Sequence, residues 1–187
     1  YNEQTFTAYQ HNPENPHSLI TNDVTDISPS TQHDDGLWIC TYYRGIEYLD
    51  ITSGQFTHYN KSTVPGLPCD QTWTVLEDKS VKNFRNEAGN PMSLPGNDVF
   101  CIIKDANGNI WLGTNNGLAL YDAANENFIM FKNNKNDKYA TLCSRILSIR
   151  QLKDNRLWIA SELNGIAILN LKQSMFLSPE EISLEYI

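Results

Sequence analysis

Three short loops carry the side chains best suited to gripping a polar ligand: Tyr42-Tyr43-Arg44, Asn115-Asn116 and Glu162-Leu163-Asn164. Three further segments, Asn22-Asp23, Asn97-Asp98 and Ser144-Arg145, each precede an apolar run. Together they offer phenol rings, amides, carboxylates and two guanidiniums. Aromatic faces stack on the apolar faces of sugar rings, and the polar groups hydrogen-bond to hydroxyls. The candidate ligand-binding residues are therefore Asp23, Tyr42, Tyr43, Arg44, Asp98, Asn115, Asn116, Arg145, Glu162 and Asn164. Turns favour Asn, Asp and Gly for backbone reasons alone, which accounts equally for Asn22, Asn97 and Asn115. The Tyr42-Tyr43-Arg44 insert is bulkier than a turn requires and is the strongest candidate.

Catalytic and metal signatures are not read. The chain has no Gly-x-Ser-x-Gly elbow, phosphate loop or HExxH. His11, His17, His33 and His58 stand in loops or at a strand end without metal-ligand spacing. Asp105 to Asn109 faintly resembles a calcium loop, but Asn116 stands where the bidentate Glu belongs, so the segment reads as a hairpin turn. No catalytic residue, metal or cofactor is expected. Asp23, Asp98 and Glu162 are the carboxylates that a glycan-cleaving reading would need, two of them about 5–9.5 Å apart.

The loops are positioned by a repeat. Gly36-Leu37-Trp38-Ile39-Cys40-Thr41 returns as Asn109-Ile110-Trp111-Leu112-Gly113-Thr114 and as Arg156-Leu157-Trp158-Ile159-Ala160-Ser161. Each copy leads to Gly-Ile or Gly-Leu, then Asp or Asn (Asp50, Asp122, Asn170), then Phe six residues on. Trp111 to Trp158 is 47 residues, a period that suits four strands per unit, as in propeller blades. In the clearest copy, Val99–Ile103 is an unbroken apolar run that reads as a strand buried on both faces. A turn at Asn107-Gly108 leads to Ile110–Thr114, then to strands over 118–121 and 128–131. Trp38, Trp111 and Trp158 are expected to be structural, packed between adjacent blades. The fold expected is all-β, a β-propeller fragment of about four blades of four-stranded antiparallel sheet. The boundaries are a blade ending at about 6, blades over 18–59, 67–86, 93–131 and 141–176, and the start of a connection or strand over 177–187.

The second copy is short. Asp70–Val75 reads as its entry strand and Val81–Phe84 as its exit strand, but Asp78 to Phe84 spans 6 residues where Asp105 to Phe128 spans 23. Crossing a four-stranded blade covers about 14 Å, whereas Lys79-Ser80 reaches roughly 10 Å. A break in the chain is therefore expected between Asp78 and Val81.

Composition narrows the class. The net charge of −8, with scattered Lys and Arg, argues against nucleic-acid binding, which needs a clustered basic face. No apolar run approaches the length of a membrane span, and Tyr1 opens no leader, so any targeting signal is expected outside this chain. Cys40, Cys69, Cys101 and Cys143 form no CxxC pair and read as free, mostly buried thiols, with a structural disulfide the lesser alternative. Asn60-Lys61-Ser62 is a chance sequon.

The combined phrase resembles the two-component regulator propeller repeat, whose pattern is roughly Ser-Leu-x-x-Asn-x-Val, an Asp/Gly turn, Trp-Ile-Gly-Thr, Gly-Leu, Tyr-Asp and Phe-x-x-Tyr. Ser93-Leu94-Pro95-Gly96-Asn97-Asp98-Val99 through Trp111-Leu112-Gly113-Thr114, Gly117-Leu118, Tyr121-Asp122 and Phe128 follows it almost throughout. Ser18 to Val24 through Trp38 and Phe56-Thr57-His58-Tyr59 follows it well, while the last copy departs at Ala160-Ser161 and Asn170. The resemblance covers about 170 residues. It implies the periplasmic sensor region of a hybrid two-component system of the Bacteroidetes, built of seven-bladed propellers, a β-sandwich, a membrane helix and a kinase outside this chain. It further implies an oligosaccharide ligand, the remaining blades and β-sandwich as partners, and a homodimer in the full sensor. A propeller lyase or glycosidase, and a purely protein-binding or dimerisation scaffold, are the alternative readings.

Overall fold

The apolar runs of the sequence become strands because each is bounded by turn residues that reverse the chain. The computed structural model describes residues 6–67, 69–77, 82–131, 141–152, 155–171 and 183–186. They fall into two compact units, residues 1–83 and 84–187.

The first unit holds one antiparallel sheet in sequence order, β1 (Val24–Pro29), β2 (Gly36–Thr41), β3 (Ile46–Asp50) and β4 (Gln55–Tyr59). Leu19, Ile39, Leu49 and Phe56 fill one face, with Leu37 against them. On the other face Trp38 meets Tyr48 edge-on at 5.1 Å and Tyr59 at 5.4 Å.

The second unit holds two such sheets. The first is β5 (Val99–Lys104), β6 (Ile110–Thr114), β7 (Gly117–Asp122) and β8 (Asn127–Met130). After a 3-10 turn at Thr141–Cys143 comes the second, β9 (Ile146–Gln151), β10 (Arg156–Ser161), β11 (Ile166–Asn170) and β12 (Ser183–Tyr186). One apolar cluster joins the two, with Trp111, Leu118, Leu120 and Phe131 from the first side and Ile146, Ile149, Leu157 and Ile159 from the second. Leu94, Leu112, Ala119 and Phe128 close the other face of the first sheet.

The repeated phrase has a local explanation in every copy. Its hydroxyl bonds to the carbonyl of the coming Gly: Thr41 to Gly45 at 2.8 Å, Thr114 to Gly117 at 2.9 Å and Ser161 to Gly165 at 3.2 Å. Each of those glycines has positive φ, at 93°, 115° and 72°, where a side chain is strained. The Trp is less uniform. Trp111 is fully buried and donates from Nε1 to the buried Asp105 Oδ2 at 2.8 Å, whereas Trp38 and Trp158 are half-buried. The three Trp thus differ in their surroundings: among the described residues no further sheet covers the Trp158 face, and Trp38 faces a segment without strands.

That segment is the short copy. Residues 69–77 and 82–84 form no strand, against the expected entry and exit strands. A strand needs a partner ladder, and the residues that would supply the two central strands are not in the sequence. Thr72 instead spends its groups on the neighbouring sheet, its N–H donating to Thr41 O at 3.2 Å and its hydroxyl lying 2.8 Å from Gly45 O. Asp78 to Val81, where the break is expected, lies outside the described residues. In the last copy Ser183–Tyr186 pairs with Ala167 to Asn170 as the fourth strand of the sheet; the stretch at Phe176, where the repeat places that strand, lies outside the described residues. All four cysteines are free, with Cys40 and Cys101 buried, Cys143 half-buried and Cys69 exposed.

Candidate functional site

One backbone hydrogen bond recurs in all three sheets and brings the candidate residues together in pairs. Tyr42 N–H donates to Asp23 O at 3.0 Å, Asn115 N–H to Asp98 O at 2.9 Å and Glu162 N–H to Arg145 O at 3.0 Å. Each bond ties the loop between second and third strands to the residue that enters the first strand. Each sheet thus presents its two candidate segments at the same end.

A second shared feature lies beside those bonds. The first strand of every sheet bulges at its second residue, so that Thr25, Phe100 and Leu147 are skipped in the pairing with the next strand. Bulges re-aim side chains and gather near binding sites. Trp73 stands five residues before Asp78 as Phe100 stands five before Asp105, and is the corresponding residue of the short copy.

In the first unit this arrangement builds an aromatic step. Tyr42 is half-buried and its ring meets that of Trp73 edge-on at 5.3 Å. Tyr43 packs on Tyr42 at 4.1 Å and is 61% exposed, so one phenol stands free for a ligand to cover. The side-chain hydrogen bond with Tyr42 raises the Tyr43 phenol above its ordinary pKa. Arg44 is exposed next to them, its N–H donating to Thr41 Oγ1 at 3.2 Å.

In the second unit the same end is polar. Asn115 donates from Nδ2 to Asp98 Oδ2 at 3.0 Å, and Asn116 from Nδ2 to Pro95 O at 3.1 Å. Arg145 pairs with Glu162 at 3.0 Å while its guanidinium lies 5.2 Å from the centre of the Phe100 ring. Both members of that pair are more than 40% exposed, so water screens the attraction, but the ring beneath fixes where the fork points. The Asn164 N–H closes the turn onto Ser161 Oγ at 3.0 Å.

Trp73 and Phe100 were not singled out by sequence, although the repeat numbering aligns them. The signal was present, but an aromatic inside an apolar run reads as core until the bulge is seen.

Three cavities lie away from these loops. A groove of about 450 Å³ in the first unit is lined by Trp38, Tyr59, Leu67, Val75 and Glu77 among others. Glu77 there receives hydrogen bonds from Ser30 and Thr31. Burial works to raise its pKa, but Thr31, with help from Trp38 and Ser30, holds the carboxyl down at about 2. The Trp38 indole meets no acceptor at full hydrogen-bond geometry and still contributes to that effect. A polar cleft of about 600 Å³ is lined by His33, Asp34, Asp35, Tyr48 and Asp50, and one of about 150 Å³ by Asn107, Gly108, Tyr121 and Ala123. Among the described residues no three His, Cys, Asp or Glu are grouped to hold a metal ion, and no helix is long and apolar enough to cross a membrane.

Residues 93–116 match the two component regulator propeller family, so the chain carries that repeat. It is 54% identical, with a TM-score of 0.74 over 91% of its length, to the crystal structure of the extracellular domain of a hybrid two component system from B. thetaiotaomicron. The extracellular domain of a one component system from the same organism shares the fold at 19% identity, with a TM-score of 0.54 over 83% of this chain. Histidine kinase P4 of Formosa agariphila is 30% identical over 92 residues, 48% of this chain. The chain spans 23% of the first of these structures and 7% of the kinase.

Proposed function

We propose that this chain, which carries two-component regulator propeller repeats, is part of the extracytoplasmic ligand-sensing propeller of a hybrid two-component signalling protein. The observation that carries the reading is the 54% identity, over nearly the whole chain, to the extracellular domain of such a system. This region lies in the periplasm as part of the ectodomain of an inner-membrane protein, whose membrane helix is beyond this chain. A histidine kinase, also beyond this chain, reads the signal. Remaining blades, a β-sandwich and a second copy of the full sensor are its partners.

The ligand is an oligosaccharide, held at the end where the second-to-third-strand loops meet the bulged first strands. In the first unit Tyr43, exposed beside Tyr42 and Trp73, stacks on a sugar face while Asp23 and Arg44 bind hydroxyls; in the second unit Asp98, Asn115, Asn116, Arg145, Glu162 and Asn164 supply donors and acceptors of their own. Nothing in this arrangement requires a reaction. Calorimetric titration of the complete ectodomain with a panel of oligosaccharides tests the reading. Binding that weakens in Tyr43→Ala and leaves the sugar intact supports it, while turnover of any sugar favours the propeller enzyme. Failure of every sugar to bind, with Tyr43→Ala and Arg44→Ala disrupting only dimerisation, favours the scaffold.

A further inference from the structure

The sheet of the first unit contains a buried acid where its siblings have alanine. Glu47, in β3, is fully buried, and the positions that match it in the other two sheets are Ala119 and Ala167. Its cross-strand neighbour is His58 of β4. A carboxylate kept in this place has no role in the repeat's packing, so its partners define what it does.

Those partners are all on the segment that enters the sheet or on the next strand. Glu47 Oε1 accepts the Ile20 N–H at 2.9 Å. Oε2 lies 3.4 Å from His58 Nδ1, and both atoms are closed off from water with no other hydrogen-bond partner among the described residues. The other ring nitrogen of His58, Nε2, is 2.9 Å from Pro16 O. A carbonyl only accepts, so Nε2 carries the hydrogen there. Neutral imidazole then has a bare lone pair at Nδ1, aimed at a carboxylate oxygen. Two buried acceptors do not face each other without cost, and one proton between them removes it, whether written as imidazolium and carboxylate or as imidazole and carboxylic acid. The titratable groups facing Glu47 are His58 and, on the entering segment, His11, whose Nδ1 lies 2.8 Å from Leu19 O.

We infer that Glu47 and His58 share one proton that latches residues 11–20 onto the sheet, and that losing this proton to solvent at higher pH releases the segment. The latched stretch runs directly into Asp23, whose carbonyl holds Tyr42, so the latch sets the footing of the aromatic step whatever ligand that step takes. Burial acts first on the Glu47 carboxyl and raises its pKa, against the opposing pull of Ile20 N–H, His58 and His11. For the Glu47 carboxyl the sign follows: its folded-state pKa is raised above its unfolded value, so its contribution is fully present below the ordinary carboxylate range and is lost as pH rises through the folded value.

Amide hydrogen exchange at Ile20, corrected for the intrinsic pH dependence, tests this in the 187-residue chain. Protection of Ile20 is expected to fall as pH rises, by up to about tenfold per pH unit for release of one proton. In Glu47→Gln, an amide can donate to Nδ1 at any pH, so protection should become independent of pH. The nitrogen-15 shifts of His58 give a reading that does not depend on any variant folding: in the latched state Nε2 is expected to carry a hydrogen and Nδ1 either to carry one or to accept one from the Glu47 carboxylic acid. Flat protection in the wild-type chain, an unchanged slope in Glu47→Gln, or an Nδ1 that neither carries nor accepts a hydrogen across the latched range would overturn the inference.

Discussion

Trp111 and Trp158 occupy the same place in the repeat but not the same chemistry. The Trp111 indole donates to buried Asp105, while the Trp158 indole nitrogen is buried with no hydrogen-bond partner among the described residues. Trp111→Phe leaves the Asp105 carboxylate short of one donor, which costs about 1–3 kcal/mol; Trp158→Phe loses no hydrogen bond. Urea denaturation of both variants should show Trp111→Phe as the more destabilised by about that amount. Glu77 gives a pH dependence of its own. Its carboxyl is lowered from 4.5 to about 2, so its contribution is present above pH 4.5 and drains away as pH falls towards 2. Thermal melts over that range should lose a pH-dependent component in Glu77→Gln, and identical profiles would contradict the assignment. These distinctions were not legible in the sequence. The phrase Trp38, Trp111, Trp158 is uniform, whereas the acceptor six residues earlier is Asp only before Trp111.

At the scale of elements, small residues in the second strand are set by the neighbouring sheet. Gly113 stands where the sister strands have Cys40 and Ala160. A Cβ built there would lie 2.5 Å from Cys101 Sγ and 2.6 Å from Ile146 Cγ2, across the cluster that joins the two sheets of the second unit. Gly113→Ala should therefore destabilise by about 1–3 kcal/mol through overpacking, measured as a lower denaturant midpoint, despite alanine being native at the matching site of β10. The strands and turns themselves were legible, because Thr-to-Gly spacing and Asn-Gly turns act over a few residues. The bulges at Thr25, Phe100 and Leu147 were not, since one extra residue leaves an unbroken apolar run such as Val99–Ile103 looking the same. The pairing of Glu47 with His58 was hidden for a related reason: it arises from register across a hairpin and not from spacing along the chain. The strand Ser183–Tyr186 was read only as the start of something, because the repeat placed the fourth strand near Phe176.

At the scale of the molecule, the claim is that function sits at one end of the sheets. The repeat was enough to expect that end and the loops that form it, and the recurring Tyr42–Asp23, Asn115–Asp98 and Glu162–Arg145 backbone bonds bring those loops together within each sheet. Tyr43→Ala should weaken binding about three- to tenfold if one stacking contact is lost, with the thermal midpoint unchanged because the ring is mostly exposed. The most direct test is hydrogen–deuterium exchange of the complete ectodomain with and without a bound oligosaccharide. The placement of function at this end predicts new protection within a unit, at residues 42–44 of the first or at 115–116 and 162–164 of the second. Protection confined instead to the opposite turns, at Asn107–Asn109 and Ala123–Ala124, would contradict it.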